Sequence, residues 1–396
     1  MRVVQGATAR ELADAFVGGA ELRPPLRLDI DGCRVDVVTN DDVLREWMEA
    51  YFEDVVVTGG DREGRAPGRD RGGSDGDGRA AGPAAAEARG GFREPDFRVV
   101  AVEGPEARVE LPLAVKPPEP GKRRPKEEWV DLPGGRFVRK LRTGMVFVFG
   151  SGVHVAYGPC RAHANQIVNF VNNRYMQWRL QQGYLLAHAG AVARGGVGLA
   201  MCGDSGAGKS TAALDLVARG LDFVSNDRAL LRPEGDGGVE LLGIPKHPRV
   251  NPGTILHNEA LHGLLPAGER EELAALSDDR LRTLEDKYDV LVHQVFGPGR
   301  FRLRARLAAL VVLAWDGEGE ARLRRVELDR RPDLLEGVMK SPGLFYEPEE
   351  EPDFDLEPER YVEVLSRRPA WEITGTRDFD RAADLCAQVL DGGGEA

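Results

Sequence analysis

One short stretch restricts this chain more than any other part of its 396 residues. Gly203-Asp204-Ser205-Gly206-Ala207-Gly208-Lys209-Ser210-Thr211 fits the pattern G-x-x-x-x-G-K-[ST]. Glycines so placed let the backbone curl until successive N–H groups point inward at phosphate oxygens, and a helix starting near Lys209 adds the positive end of its dipole. The Lys209 ammonium suits β and γ phosphates, and the Ser210 hydroxyl suits Mg²⁺. Thr211 leads into a helical run, Ala212, Ala213, Leu214, Leu216 and Val217, and the apolar run Val197 to Cys202 supplies the preceding strand. Strand, loop and helix thus follow in the required order. Basic residues here are overwhelmingly Arg, so multiplying residue frequencies puts a chance match at about 0.01 or less for the whole chain. The stretch predicts a nucleoside triphosphate site but no particular reaction, because switches, ATPases and kinases all use this loop.

The rest of the chain organises around that loop. Residues 59–93 are Gly, Arg, Asp and Ala with almost no large apolar side chain, which predicts a disordered insertion. Before it, Leu26, Leu28 and Ile30 alternate with polar residues, Asp31-Gly32 supplies a tight turn, and Val35, Val37 and Val38 return, so a hairpin is expected. Asn40 then suits the cap of a helix carrying Val43, Leu44, Trp47, Met48, Tyr51 and Phe52 at helical spacing. After the insertion come strands near 97–102, 137–141, 145–149 and 153–157, a Pro/Lys-rich connector at 117–126, and a helix over 162–181. No catalytic constellation is visible up to residue 182. Beyond it, strand and helix signals alternate to the C-terminus, apart from an acidic, Pro-bearing stretch at 347–359 that reads as a solvated loop or a surface for a basic partner.

Composition narrows the partners. With 53 Lys and Arg against 65 Asp and Glu the net charge is -12, which disfavours nonspecific nucleic-acid binding and anionic membranes. No apolar run approaches the roughly 20 residues needed to span a bilayer, and no secretory h-region follows Met1, so the expected compartment is the cytoplasm. Cys33, Cys160, Cys202 and Cys386 lack C-x-x-C spacing and read as reduced core thiols.

The segment around the loop is more specific. Leu185-Leu186-Ala187-His188-Ala189-Gly190-Ala191-Val192, the turn Arg194-Gly195-Gly196, the loop itself, and Arg219-Gly220 followed by Val224-Ser225-Asn226-Asp227-Arg228 together resemble the core of the HPr kinase/phosphorylase family. The resemblance is good over about residues 183–232 and loose elsewhere, and the nearest description is an HPr kinase-related kinase of the B type. It implies an α/β fold: a P-loop kinase domain of the HPr kinase/phosphoenolpyruvate carboxykinase-like type over 183–396, preceded by a smaller α+β domain over 1–182. It also implies ATP and Mg²⁺ as cofactors and transfer of the γ phosphate to a hydroxyl, with a protein or peptide Ser or Thr as acceptor. Gly203 to Thr211 then hold the nucleotide, Ser210 and Asp227 approach the metal, and Asp227 serves catalysis. His188 positions the acid or the γ phosphate, or is simply a hydrogen-bonded hairpin histidine. A homo-oligomer is compatible with the resemblance.

Two departures qualify it. Asn226 stands where the family has the first of two adjacent acids, and an amide cannot accept a proton. Either Asp227 takes the base role, or transfer relies on positioning and electrostatics, or the chain binds ATP as a non-catalytic switch or scaffold. The family's substrate signature is also missing; Gly243 to Thr254, with Lys246, His247 and Arg249, stands in its place as an acceptor-facing loop or a Pro-stiffened structural one. HPr is therefore not the expected acceptor, and a small-molecule acceptor stays open. Gly297-Pro298-Gly299-Arg300 loosely resembles a family segment, which implies that Arg300 approaches the phosphates.

Overall fold

The computed structural model describes residues 6–57, 94–118, 124–204, 206–277, 280–281, 284, 286–347 and 357–392. The expected insertion at 59–93, the centre of the 117–126 connector and nearly all of the acidic run at 347–359 lie outside the described residues. The chain is a mixed α/β protein built on two large mixed sheets.

The first sheet takes strands β1 (Leu26–Ile30), β2 (Cys33–Thr39), β3 (Phe97–Glu103), β4 (Ala114–Val115), β5 (Glu127–Leu132), β6 (Gly135–Lys140), β7 (Val146–Gly150) and β8 (Val153–Gly158). Their order is β1-β2-β3-β8-β7-β6-β5-β4, parallel only across β2–β3 and β3–β8. The apolar run of β7 is buried on both faces: Val146 and Val148 pack with Leu12 and Phe16 of helix α1 (Ala9–Val17), while Phe147 and Phe149 face helix α3 (Ala164–Leu180). A strand covered on both sides reads as a continuous apolar run, not an alternation.

Helix α2 (Asp42–Tyr51) is capped by Asp41, whose carboxylate accepts from the Leu44 N–H at 2.7 Å. The expected cap, Asn40, is spent elsewhere: its amide exchanges two hydrogen bonds with the backbone of Glu103 on β3. Only Leu44, Met48, Tyr51 and Phe52 of the predicted apolar set are buried; Val43 and Trp47 are exposed.

The second sheet has strands β9 (Leu185–Ala187), β10 (Gly190–Arg194), β11 (Val197–Gly203), β12 (Asp222–Ser225), β13 (Ala229–Pro233) and β14 (Val239–Leu242). Strands β15 (Arg249–Val250) and β16 (Tyr288–Asp289) pair separately, and β17 (Arg304–Leu313), β18 (Arg322–Val326) and β19 (Ala370–Thr374) complete the sheet. Strand β17 is its spine: its start pairs with β14, its end with β19, and Arg306 to Leu313 with β11.

The two sheets share a core. Leu186, Leu230, Leu242, Ile244 and Phe345 belong to the same buried cluster as β1, β2, α2 and α3, and Phe345 inserts its ring among Phe147, Phe149 and Phe170. Buried charge follows the same seam. Arg179 of α3 and Arg304 of β17 both bind Asp31 at the β1–β2 turn, and Arg304 and Arg232 both bind the buried Glu240. Each of these carboxylates is paired by two guanidiniums, as the buried Glu240 requires.

His247 closes the seam. Its N–H and its Nε2 both bond to Tyr51 at 3.0 Å, and its Nδ1 accepts from the Val292 N–H at 3.2 Å, which places the ring proton on Nε2. Burial lowers its pKa to about 4, against roughly 6.5 in an unfolded chain. Between those values the unfolded chain binds a proton that the folded one refuses, so stability falls as pH drops through that window, by on the order of 3 kcal/mol from this group. Urea denaturation at about pH 7 and about pH 4.5 checks this: His247→Gln should lose less stability on acidification than the wild type by about 2–3 kcal/mol.

Candidate functional site

Strand β11 runs parallel to β17 and delivers Gly203 at its carboxyl end. Gly206 and Gly208 sit at φ +84° and +99°, the left-handed region where glycine carries no penalty. Gly208 is fixed twice over, since a Cβ there would lie 2.1 Å from the Phe379 ring. Helix α4 (Lys209–Ala218) starts immediately afterwards, with no side chain capping its first N–H groups. Those donors and the helix dipole suit an anion. The Lys209 ammonium folds back onto the carbonyl oxygens of Gly203 and Asp204, at 2.7 and 3.0 Å, and burial pulls its pKa down. Trp315, from the loop after β17, pins the turn by donating its indole N–H to the Ala207 carbonyl at 2.8 Å.

Sheet register brings the other polar groups to the same place. Strand β9 pairs antiparallel with β13, Ala187 opposite Ala229, so His188 just past β9 meets Asp227 and Arg228 just before β13. His188 Nε2 lies 3.3 Å from Asp227 Oδ1. Strand β10 pairs with β12, Ala191 opposite Ser225, and sets Asn226 beside α4. There Ser210 Oγ donates to Asn226 Oδ1 at 2.7 Å. Asp227 adopts φ +69°, a conformation uncommon outside glycine and concentrated at functional sites. Burial alone would raise its pKa, but His188, Arg228 and Lys246 outweigh that and hold the carboxyl well below the usual range.

These groups line one cavity of about 1720 Å³. It takes Gly206, Gly208, Lys209, Ser210 and Thr211 from the loop, and His188, Asn226 and Asp227 from the strand ends. Gly203, Asp204 and Ala207 lie behind that surface, holding the loop through their carbonyl oxygens. Ser205 is outside the described residues. Lys246 and Arg249 also line the cavity, whereas the His247 ring is fully committed to its structural bonds. That commitment also disposes of the cluster Asp54, His247 and His293 as a metal site, although their ligand atoms lie within 4.8 Å of one another.

Arg300 corrects an expectation. Its guanidinium donates to the carbonyl oxygens of Val217 and Leu221, at 3.0 and 2.6 Å, where α4 ends. A cation there complements the negative end of the helix dipole, a full helix length from the loop that would hold phosphate. Thr254, at the end of the 243–254 segment, sets its hydroxyl 3.1 Å from that of Thr211, and the wall formed by Gly319 to Ala321 with Thr376 to Arg381 carries no sequence signal. The rule that ligands bind beyond the carboxyl ends of parallel strands points to the loops after β17 and β19.

No family model matches the sequence, and no curated protein matches it. Among solved structures the chain is similar to the HPr(Ser) kinase/phosphatase from Coxiella burnetii, with a TM-score of 0.26 and 10% identity over 52% of this chain and 94% of that one. No helix among the described residues is long and apolar enough to cross a membrane.

The placement of Lys209 and Arg300 at opposite ends of α4 yields a paired prediction. Lys209→Ala should abolish thermal stabilisation by Mg²⁺-ATP, because stabilisation tracks affinity for the folded state. Arg300→Ala should cost about 1–3 kcal/mol by stranding two carbonyl oxygens, yet keep the full ATP-dependent increment. Differential scanning fluorimetry with and without nucleotide separates the two.

Proposed function

We propose that the chain is an ATP- and Mg²⁺-dependent phosphotransferase that delivers the γ phosphate to a hydroxyl, with a Ser or Thr of a protein or peptide as the acceptor. The observation that carries this reading is the meeting of the Lys209-Ser210 loop with His188, Asn226 and Asp227 across one cavity. The resemblance of residues 183–232 to the HPr kinase/phosphorylase core supports it.

The donor set fits the cofactors. Uncapped N–H groups at the start of α4 and the Lys209 ammonium match phosphate oxygens. The Ser210 hydroxyl, the Asn226 amide oxygen and the Asp227 carboxylate are hard oxygen donors of the kind Mg²⁺ takes. When bound, Mg²⁺-ATP supplies the transferable phosphoryl group and the charge neutralisation that its leaving group needs.

The protein's own groups do the remainder. Asp227, kept ionised by His188, Arg228 and Lys246, accepts a hydrogen bond from the acceptor hydroxyl and orients its oxygen; as the new O–P bond forms and the bond to ADP breaks, the proton leaves through the transferred phosphoryl oxygens to solvent. His188 fixes that carboxylate from the opposite side, its backbone N–H tied to Val338 at 2.7 Å. Asn226 holds the Ser210 hydroxyl without adding charge, so the site keeps one carboxylate where two adjacent ones would repel. Catalysis by positioning and electrostatics is the usual mode for phosphoryl transfer.

Incubation with γ-labelled ATP, Mg²⁺ and a cell extract tests the reading. Label is expected in a protein band; label in a small metabolite selects the small-molecule kinase, and nucleotide binding with no transfer selects the switch. Asp227→Asn should keep ATP-dependent thermal stabilisation and lower turnover by about 10²–10⁴-fold. Full activity in that variant would remove Asp227 from the mechanism.

A further inference from the structure

The chain as a whole carries a net charge of -12, yet the lining of its large cavity has the opposite sign. Six cations, Lys209, Lys246, Arg249, Lys287, Arg377 and Arg381, face three carboxylates, Asp227, Glu320 and Asp378. A local reversal of that kind concentrates anions. The nucleotide accounts for only part of it, because the cations stand on two separate walls.

The first wall is built from Gly319 to Ala321 and Thr376 to Arg381, joined by the Thr376 N–H to the Gly319 carbonyl at 2.9 Å. Phe379 sets it against Gly208 of the loop, so Arg377 and Arg381 belong to the nucleotide side. The second wall is the β15–β16 pair, with Arg249 opposite Asp289 and Val250 opposite Tyr288, flanked by Lys246 and Lys287. Lys246 and Asp227 line the same cavity, which sets this wall on the side of the group that would orient the acceptor. Arg249 is neutralised by Asp289 at 2.9 Å. Lys246 and Lys287 remain, and among the described residues neither has a carboxylate within ion-pair distance.

We infer that the acceptor is a peptide segment with acidic side chains flanking its hydroxyl, held by Lys246 and Lys287 on the wall opposite the nucleotide. This rests on the phosphotransferase reading and adds the charge of the acceptor to it. Size and access favour a peptide over a small acid. A cavity of about 1720 Å³ exceeds the roughly 300–1,000 Å³ of a typical small-molecule pocket. Lys287 is exposed and the Arg249 side chain is 42% exposed, so the wall lies on an open rim that an extended segment can cross.

The test uses the full chain, γ-labelled ATP, Mg²⁺ and three serine peptides differing only in flanks of Asp and Glu, of Ala and Gln, or of Lys and Arg, with free glycerate as a fourth acceptor. The acidic peptide should show a KM about tenfold or more below that of the basic one, since like charges across an interface oppose binding. Lys287→Glu should reverse that order, with ATP-dependent thermal stabilisation reporting that the variant is folded. Equal KM values for the three peptides, or an unchanged order in Lys287→Glu, would overturn the charge assignment while leaving phosphotransfer intact. Label in glycerate alone would overturn the peptide, and loss of ATP-dependent stabilisation in the wild type would instead remove the reading on which the inference stands.

Discussion

Everything at the candidate site depends on the parallel pairing of β11 with β17. That pairing sets the carboxyl end of β11 in the middle of the sheet, with α4 emerging from it through Gly206 and Gly208. Its long register allows β17 to be shared, with β14 along its first residues and β19 along its last. The loops after β17 and β19 therefore reach the Gly203–Thr211 loop from one side, through Trp315 and Phe379. Strands β9 and β13 bring His188 and Asp227 from the other. The cavity lining is thus assembled from segments nearly 200 residues apart in sequence, from His188 to Arg381.

Electrostatics at the site follow from burial more than from net charge. Lys209 loses basicity because it is buried, while Asp227 stays ionised because three cationic or hydrogen-bonding neighbours outweigh the same effect. The chain holds its charges in small local sets. Asp31 and Glu240, each held by two guanidiniums, tie the sheets together, and Lys209, Lys246 and Lys287 gather in the lining of one cavity.

Much of this was legible in sequence, and the exceptions have physical causes. The strand, loop and helix around Lys209 were readable because an apolar run and a helical run flank closely spaced glycines, and the turn before them because Gly195 and Gly196 supply the positive φ that it needs. Helix α1 and strand β5 were not predicted: α1 presents only four buried residues, and β5 places Glu127 and Glu128 inside, paired with Lys140 and Arg139. The cap of α2 was misplaced by one residue because Asn40 and Asp41 are both good caps, and only the position of β3 decides which is free. Arg300 was misread because an arginine after a Gly-Pro-Gly turn says nothing about which end of a distant helix it reaches.

The central claim is that the Lys209-Ser210 loop and the His188–Asp227 pair form one nucleotide site. Carbon-13 labelling of the seven histidines, followed by titration with a non-hydrolysable ATP analogue and paramagnetic Mn²⁺, tests it most directly. The account predicts that the His188 imidazole resonance broadens strongly, as do the others lining the cavity, while that of His154, on β8 of the first sheet, stays sharp. An unaffected His188, or equal broadening of both, would contradict it.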